Sequence, residues 1–415
     1  MHRKSVSGVL LVCFSFFLMS SNIHARNELI EEKAASIHAE VLTIDTHVDT
    51  PMKLLWPNFD LGQRHDPRIT GSRVDLPRME EGGLDAVFFA IFIRQGLRTP
   101  EANQKAKEQT IRRFDSIHQS VRTHSTKVEL ARTPEDAYRI EKTGKRAIYI
   151  GIENGYAIGN DISFIQQYYD LGARYITLSH SHNNDICDSS TDTPEHHGLS
   201  AFGQQVVAEM NRLGMLIDVS HISDEAFDDV IEVSKAPVIA SHSCARALCD
   251  HPRNLNDDML KKLAENDGVI QVCVLSSYVK KIAPNPDREA AIKTLKKRYT
   301  NLTELSGKEE RDAQEKRRAI NKKYPRRLAT VSDVVDHIDH IVRVAGINHV
   351  GIGTDFDGGA GLDGCYDVSD LGNITLELVR RGYTKKHIRK IWGGNFMRVF
   401  RKAIEVAEEL QSAPR

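Results

Sequence analysis

The chain has 415 residues, of which 40% are hydrophobic, 27% charged and 7% aromatic, and its formal net charge at pH 7 is -1. This composition provides enough apolar material for a large core and excludes disordered and fibrous classes. A nearly neutral chain has no overall field that would attract nucleic acid or an anionic membrane, so we expect a small-molecule partner and no nucleic acid.

The first 25 residues have the three parts of a secretory signal. Residues 2–4 (HRK) form a basic start, residues 9–19 (VLLVCFSFFLM) form an apolar run, and Ala25 precedes the expected cleavage point. The run is shorter than the roughly 20 apolar residues that span a bilayer. We therefore predict a signal peptide at 1–25 and export to the periplasm or the extracellular space. An uncleaved anchor is the alternative.

The C-terminal sequence EELQSAPR is polar. A glycolipid-anchor signal requires a hydrophobic tail, so we expect no stable membrane anchor of that kind.

Eight apolar, β-branched runs alternate with amphipathic stretches after the predicted signal. The runs predict strands at residues 41–49, 84–93, 146–153, 175–180, 215–221, 237–242, 269–275 and 349–355. Runs such as AVFFAIFI are apolar almost throughout, which is typical of parallel strands buried on both faces. The amphipathic stretches predict helices at residues 162–171, 202–213, 224–234, 257–264, 332–344 and 373–381.

This alternation predicts an α/β fold, a (β/α)₈ TIM-like barrel that occupies residues 26–415 as a single domain. An open, doubly wound sheet is the alternative. Residues 280–327 depart from the pattern because they are rich in Lys, Arg and Glu. We predict a charged helical insertion with solvated faces there, and a basic docking patch is the alternative.

Two pairs of histidines lie outside the strand ends. His196 and His197 belong to a polar loop, and His337 and His340 belong to the predicted helix at 332–344. We predict that all four face solvent.

Removal of the signal would leave five cysteines. The chain has no CxxC motif and is too large to need a disulfide framework, so we predict buried thiols, with one disulfide as the alternative. The five are Cys187, Cys244, Cys249, Cys273 and Cys365.

Six of the eight predicted strands end in His, Asp or Glu. These residues are His47 with Asp49, Glu153, His180, His221, His242 and Asp355. The carboxyl ends of barrel strands meet on one face, where barrel active sites lie. A single residue of this kind usually closes a strand by hydrogen bonding, but six at equivalent ends indicate a functional site.

The residue types at these ends indicate a metal centre. His47 and Asp49 are two positions apart, so both side chains project from the same face of an extended strand. Three histidines with two carboxylates are typical of zinc, with Mn²⁺ and Co²⁺ as alternatives. Five ligands suffice for two ions if one carboxylate bridges them, and Glu153 is the natural bridge.

Seven segments in chain order resemble the signatures of the membrane (renal) dipeptidases, which are zinc dipeptidases among the metallo-dependent hydrolase barrels. They are IDTHVD, GIEN, TLSHSHN, GLSAFGQQVVAEMNRLGMLIDVSH, APVIASHS, HPRNL and GTDFDG, and the resemblance runs from about Val41 to the end of the chain. It implies zinc-dependent hydrolysis of dipeptides to free amino acids by a metal-bridging hydroxide. A homodimer is also expected, and acceptance of a D-residue at the C-terminal position stays open.

The resemblance assigns roles to individual residues. It implies that one zinc ion is held by His47, Asp49 and Glu153, and the other by Glu153, His221 and His242.

In the mechanism that this site implies, Asp355 takes the proton and passes it to the departing amine, while His180 stabilises charge on the carbonyl oxygen. Arg253 would pair with the free carboxylate of the substrate and so select dipeptides, although it could also be a surface arginine. Tyr278 is a further substrate contact that the resemblance implies.

The sequence differs from the mammalian branch of that family in three features: the missing glycolipid tail, the insertion at 280–327 and His182, which replaces a cysteine. Two other functions are alternatives. A deaminase or lactonase barrel would usually have HxH in its first strand and often a Lys ligand. A non-catalytic binding module would have lost a metal ligand or Asp355.

Overall fold

The structure is a computed structural model that describes residues 26–299, 307–325, 327–359 and 361–413. The predicted signal peptide at 1–25 lies outside these residues. Among the helices that are described, none is both long and apolar enough to cross a membrane.

Nine strands form one parallel sheet within the described part of the chain. They are β1 (Ile44–Val48), β2 (Ala86–Phe92), β3 (Val128–Leu130), β4 (Arg146–Glu153), β5 (Ala173–Thr177), β6 (Leu216–Asp218), β7 (Ile239–Ser243), β8 (Val269–Val272) and β9 (Val350–Ile352). The spatial order is β1-β2-β4-β5-β6-β7-β8-β9. The extra strand, β3, pairs with the first residues of β4, whereas β5 pairs with its last residues.

The two ends of this sheet meet, so the eight main strands form a nearly closed barrel. The backbone N–H of Asp355, just after β9, donates to the carbonyl of His47 at 3.0 Å, and that of Asp49 donates to Phe356 at 2.8 Å. Val48 and Phe356 form a parallel bridge at the same place. The predicted α/β barrel is therefore confirmed, and the open sheet is excluded.

Helices connect the strands and cover the outside of the barrel. They are α1 (26–40), α2 (Pro67–Thr70), α3 (Leu76–Glu81), α4 (Pro100–Thr123), α5 (Pro134–Glu141), α6 (Ser163–Asp170), α7 (Ala201–Leu213), α8 (Asp224–Val233), α9 (Asp257–Glu265), α10 (Ser276–Val279), α11 (Pro286–Arg298), α12 (Gly307–Lys323), α13 (Val331–Val344), α14 (Gly372–Arg380), α15 (Lys385–Arg389) and α16 (Asn395–Ser412).

Local sequence signals explain where several helices begin and end. The side chains of Ser200, Ser223 and Asn256 accept hydrogen bonds from backbone N–H groups in the first turns of α7, α8 and α9. These N-caps satisfy donors that have no partner inside the helix. Gly214 ends α7 in the left-handed conformation with a φ of 72°, which glycine adopts without strain.

Aromatic rings in stacked and edge-to-face contact lie beneath the carboxyl ends of the strands. The ring of Phe88 is 4.7 Å from that of Tyr149, 5.3 Å from that of Tyr175 and 5.1 Å from that of Phe396 on α16. A Cβ atom on Gly151 would come within 2.1 Å of Tyr175 Cζ, so only glycine leaves room for that ring. The rings form a rigid base for the strand ends above them.

The charged segment at 280–327 contains α11 and α12, which follow α10. Leu295, Tyr299 and Ala313 form a small buried cluster of their own, with Ile320 packed against it. This cluster is separate from the barrel core.

The five cysteines at 187, 244, 249, 273 and 365 are all free and buried. The alternative of a disulfide among them is therefore excluded.

The prediction that four histidines face solvent is wrong for three of them. His337 is only 1% exposed, and its ring bonds to backbone groups of Ala245 and Val279. His196 and His340 are half-buried, whereas His197 is exposed. On the polar side of α13, His337 bonds to backbone groups of two neighbouring segments. A helical sequence pattern alone does not reveal such partners.

Candidate metal centre

The predicted strand-end residues come together at the carboxyl ends of the barrel strands. Their ligand atoms form three groups, in each of which all atoms lie within 4.8 Å of one another. The groups are His47 with Glu153 and His242; Glu153 with His180 and His221; and His47 with Asp49 and Asp355.

Glu153, the last residue of β4, lies at the centre of the cluster and is 3% exposed. Its Oε1 atom is 3.7 Å from Nε2 of His47, 3.6 Å from that of His180, 3.1 Å from that of His221 and 3.5 Å from that of His242. One carboxylate oxygen thus faces four imidazoles. This is the position that a carboxylate shared by two ions would need.

His242 lies beside two other histidines. Its Nε2 is 2.9 Å from Nε2 of His221, and its ring centre is 3.8 Å from that of His47. His242 can therefore share an ion with either neighbour. The assignment of ligands that the resemblance implies places it on the same ion as His221.

Asp49 and Asp355 lie next to each other beside the loop that follows β9. A Cβ atom on Gly358 would come within 2.1 Å of Asp355 Oδ1 and 2.2 Å of Asp49 Oδ2, so this loop requires glycine to approach both carboxyl groups. Asp355 itself has a φ of 61°. A non-glycine residue in this region costs about 1–3 kcal/mol, and such strain is concentrated at functional sites.

The three carboxyl groups of the cluster are buried close together. Burial raises the pKa of Glu153 and that of Asp355 well above their ordinary values, and the nearby charge of Asp49 raises both further. Burial likewise raises the pKa of Asp49 to about 7. The protein alone does not balance the negative charge of three ionised carboxylates here, whereas a bound divalent cation would.

The histidines of the cluster are held neutral. Burial lowers the pKa of His47 to about 3, and the charge of Arg253 lowers it further. Burial also lowers the pKa values of His221 and His242 well below the ordinary value. A neutral imidazole has a free lone pair, which is the form that binds metal.

Unpartnered atoms test whether these residues fit a metal. His47 Nε2, Asp49 Oδ1 and His221 Nδ1 are buried without a hydrogen-bond partner in the described part of the protein. Most buried polar atoms in proteins are hydrogen-bonded, so each such atom requires an explanation. The orphaned atoms of His47 and Asp49, which belong to one of the three groups, fit ligands of a metal ion.

Arg253 and Tyr278, the predicted substrate contacts, lie beside the cluster. Arg253 is 3% exposed and donates from Nη2 to the carbonyl of His242 at 3.1 Å, so the surface alternative is excluded. Its guanidinium lies 5.3 Å from the ring centre of Tyr278, and its Nε is buried without a hydrogen-bond partner in the described part of the protein. His180 is the most exposed residue of the cluster, with 25% of its side chain accessible to solvent.

Sequence reasoning missed the residues that support the cluster. Tyr175 lies 2.9 Å from His47 Nδ1, and Asp45 accepts hydrogen bonds from the backbone and the hydroxyl of Thr354, which joins β1 to the end of β9. Asp218 binds groups from three strands. The available signal was an Asp within or at the end of a fully buried strand.

Comparison with known proteins identifies relatives along nearly the whole chain. A family model described as membrane dipeptidase (peptidase family M19) matches residues 31–414. Dipeptidase tcpJ of Claviceps purpurea (strain 20.1) is 32% identical over 357 residues, which cover 84% of this chain and 74% of that protein. An uncharacterized dipeptidase of Schizosaccharomyces pombe is 31% identical over 409 residues, which cover 94% and 88%.

Solved structures agree with the sequence relatives. The crystal structure of the probable dipeptidase PvdM from Pseudomonas aeruginosa superposes with a TM-score of 0.78 at 30% identity, covering 91% of this chain and 99% of that one. The structural similarity therefore extends over most of the chain.

Proposed function

Since this chain belongs to the membrane dipeptidase family and is a metallo-dipeptidase, we propose that it hydrolyses dipeptides to free amino acids with two zinc ions. The observation that carries the proposal is the position of Glu153, one oxygen of which, Oε1, faces four neutral imidazoles in a buried site. Imidazole and carboxylate donors in this number support zinc.

The proposed ligands are the five residues that the sequence singled out. One ion takes His47, Asp49 and Glu153, and the other takes Glu153, His221 and His242. The unpartnered atoms of His47 and Asp49 support the first set. The short separation of the His221 and His242 nitrogens, 2.9 Å, supports the second, because two ligands of one ion approach each other in this way.

Bound zinc would supply Lewis acidity, which lowers the pKa of water and polarises the scissile carbonyl. Asp355 accepts a proton from the attacking water and delivers it to the departing amine. His180, on the open side of the cluster, donates a hydrogen bond to the carbonyl oxygen of the substrate.

Arg253 binds the C-terminal carboxylate of the substrate in this proposal. A buried guanidinium beside the cluster, with an Nε atom that has no partner, supports the assignment. The ring of Tyr278 packs against the same end of the substrate. A carboxylate held at a fixed distance from the metal ions leaves room for one residue after the scissile bond.

Three further features belong to the proposal and rest on sequence. The family resemblance of the signature segments supports a homodimer, and acceptance of a D-residue at the C-terminal position is left to the substrate screen. The basic and apolar pattern of residues 1–25 supports export to the periplasm or the extracellular space.

Metal analysis and a substrate screen on the purified protein test the proposal. After reconstitution with zinc, we expect two zinc ions per chain and turnover of L-L dipeptides, L-D dipeptides or both. One ion or none would contradict the bridging role of Glu153. A fully loaded protein that cleaves no member of the screen would contradict dipeptide hydrolysis.

A further inference from the structure

Ser241, in β7, connects His242 to a buried carboxylate. Its hydroxyl oxygen lies 2.8 Å from Nδ1 of His242 and 2.6 Å from Oδ2 of Asp218, which is the last residue of β6. Asp218 and Ser241 are 0% exposed and His242 is 1% exposed. The three side chains thus form a hydrogen-bonded relay that water does not reach.

The donors around Asp218 determine the direction of this relay. Its Oδ1 accepts from the backbone N–H of Ser220 at 3.0 Å and of Ser241 at 2.8 Å, and its Oδ2 accepts from the hydroxyl of Thr177 at 2.5 Å and of Ser241 at 2.6 Å. The Ser241 hydroxyl is the donor in its bond to Asp218 Oδ2, so its proton points to Asp218 and away from His242. The Ser241 oxygen is then left to accept a hydrogen bond from Nδ1–H of His242.

This direction selects one tautomer of the imidazole. With the proton on Nδ1, Nε2 of His242 carries a lone pair, and Nε2 is the atom that lies 3.5 Å from Glu153 Oε1 and 2.9 Å from His221 Nε2. We propose that Asp218, acting through Ser241, is a positioning residue that holds His242 in its metal-binding tautomer. The inference rests on the proposed function, in which His242 is a zinc ligand.

Asp218 also joins three strands, since its partners belong to β5, β6 and β7 or follow them directly. A clamp between strands would stabilise the barrel without any effect on the metal. The relay differs from such a clamp because it requires one particular hydroxyl, that of Ser241, for zinc binding.

Two substitutions separate the relay from the clamp. Ser241→Ala removes the hydroxyl that touches both His242 and Asp218. Thr177→Val is the matched control, because it removes a buried hydroxyl that bonds to the same Oδ2 atom and does not reach His242. We expect zinc affinity to fall by about 10- to 100-fold in Ser241→Ala, the usual effect of losing such a support, and to change little in Thr177→Val.

A third substitution, Asp218→Asn, tests the direction of the hydrogen bonds in the relay. The amide oxygen has to stay opposite the two backbone N–H groups, so the amide nitrogen faces the hydroxyls of Thr177 and Ser241. The Ser241 oxygen then accepts from Asn, and its proton turns to Nδ1 of His242. This reversal places a proton on Nε2, so we expect zinc affinity to fall at least as far as in Ser241→Ala.

The measurements are zinc affinity by competition with a chelator, the unfolding midpoint of the zinc-free protein, and the imidazole ¹⁵N shifts of His242 in the zinc-free protein. We expect the Nδ1–H tautomer in the wild type and the Nε2–H tautomer in Asp218→Asn. Similar unfolding midpoints for Ser241→Ala and Thr177→Val would show that the two variants lose comparable stability, as the relay requires.

An Nε2–H tautomer in the wild type would overturn the relay, as would equal losses of zinc affinity in Ser241→Ala and Thr177→Val or unchanged affinity in Ser241→Ala. Failure of the proposed function has a different signature, because a wild-type chain that binds no zinc would contradict that function whatever the tautomer of His242.

Discussion

Asp355 and His221 occupy equivalent positions in the barrel, since each lies three residues after the end of its strand and each has a positive φ, 61° and 75° respectively. In both residues the strained backbone turns the side chain toward Glu153 and its neighbours. Their proposed roles nevertheless differ: Asp355 moves a proton and His221 holds an ion.

The first prediction separates these two roles. Asp355→Asn keeps the shape of the side chain but cannot carry a proton, so we expect both zinc ions to remain while kcat falls by about 10²- to 10⁴-fold. His221→Ala removes a ligand, so metal content should fall together with activity, and excess zinc should restore part of it. Zinc stoichiometry and turnover are to be measured side by side. Parallel loss of metal in both variants would make Asp355 a ligand or a structural support.

A second prediction concerns Arg253. If its guanidinium binds the substrate carboxylate, dipeptides should be cleaved far better than tripeptides or C-terminally amidated dipeptides. Arg253→Met should raise KM for a free dipeptide and leave the already poor cleavage of the amide almost unchanged. Steady-state kinetics on the matched acid and amide measure this difference. Equal rates on the two substrates in the wild type would rule out the carboxylate contact.

Among the helices, α13 is joined to two neighbouring segments by hydrogen bonds from one buried polar residue, His337. Nδ1 of His337 accepts from the backbone N–H of Ala245 at 3.0 Å, and its Nε2 donates to the carbonyl of Val279 at 2.8 Å. These bonds tie α13 to the loop after β7 and to the end of α10. Those two segments carry Arg253 and Tyr278, so the histidine supports the substrate side of the site.

The third prediction follows from these bonds. His337→Leu should destabilise the protein by about 1–3 kcal/mol per backbone group left without a partner. His340→Leu is the control on the same helix, since His340 is half-buried and bonds to the partly exposed Asp257. Unfolding in urea should shift clearly for His337→Leu and little for the control. Equal shifts would show that the backbone contacts of His337 contribute nothing specific.

The direction of the His337 pKa adds a dependence on pH. Burial lowers the pKa of His337 in the folded protein. The unfolded chain therefore binds the proton more readily, so the contribution of His337 to stability is complete above the ordinary histidine pKa and is lost as the pH falls below it. The difference in stability between the wild type and His337→Leu should shrink at acidic pH.

At the scale of the whole molecule, the cluster joins residues from strands far apart in sequence. Asp49, Glu153 and Asp355 follow or end β1, β4 and β9, and their carboxyl pKa values are all raised in the metal-free protein. A group whose folded pKa is raised stabilises the fold below its unfolded pKa, and this stability is lost as the pH rises through the folded pKa. Bound metal would offset that loss.

The fourth prediction is a metal effect that depends on pH. Removal of metal with a chelator should lower the thermal unfolding midpoint, and the decrease should be larger at pH 8 than at pH 6, because the pKa of Asp49 is about 7. Calorimetry of the loaded and stripped protein at both pH values measures it. A midpoint that is independent of metal at pH 8 would contradict a site that spans three strands.

The barrel and the positions of the cluster could be read from particular residues. His47 and Asp49 share a strand face because side chains alternate with a period of two, and Glu153 ends a strand whose interior, residues 147–152, is apolar. β3 was missed because it has only three residues, Val128–Leu130, which is too short for an alternating pattern. The prediction that His337 faces solvent is wrong because the sequence pattern of a helix does not indicate which loops pack against its polar side.

The barrel, the family and the side chains at the strand ends follow from the sequence alone, because apolar periodicity and short motifs are local properties of the chain. The folded structure is needed to show that one oxygen of Glu153 faces four imidazoles, that Arg253 is buried, and that the Ser241 hydroxyl contacts both His242 and Asp218. The physical reason is that these contacts join residues from different strands, and their distances depend on how the strands pack around the barrel.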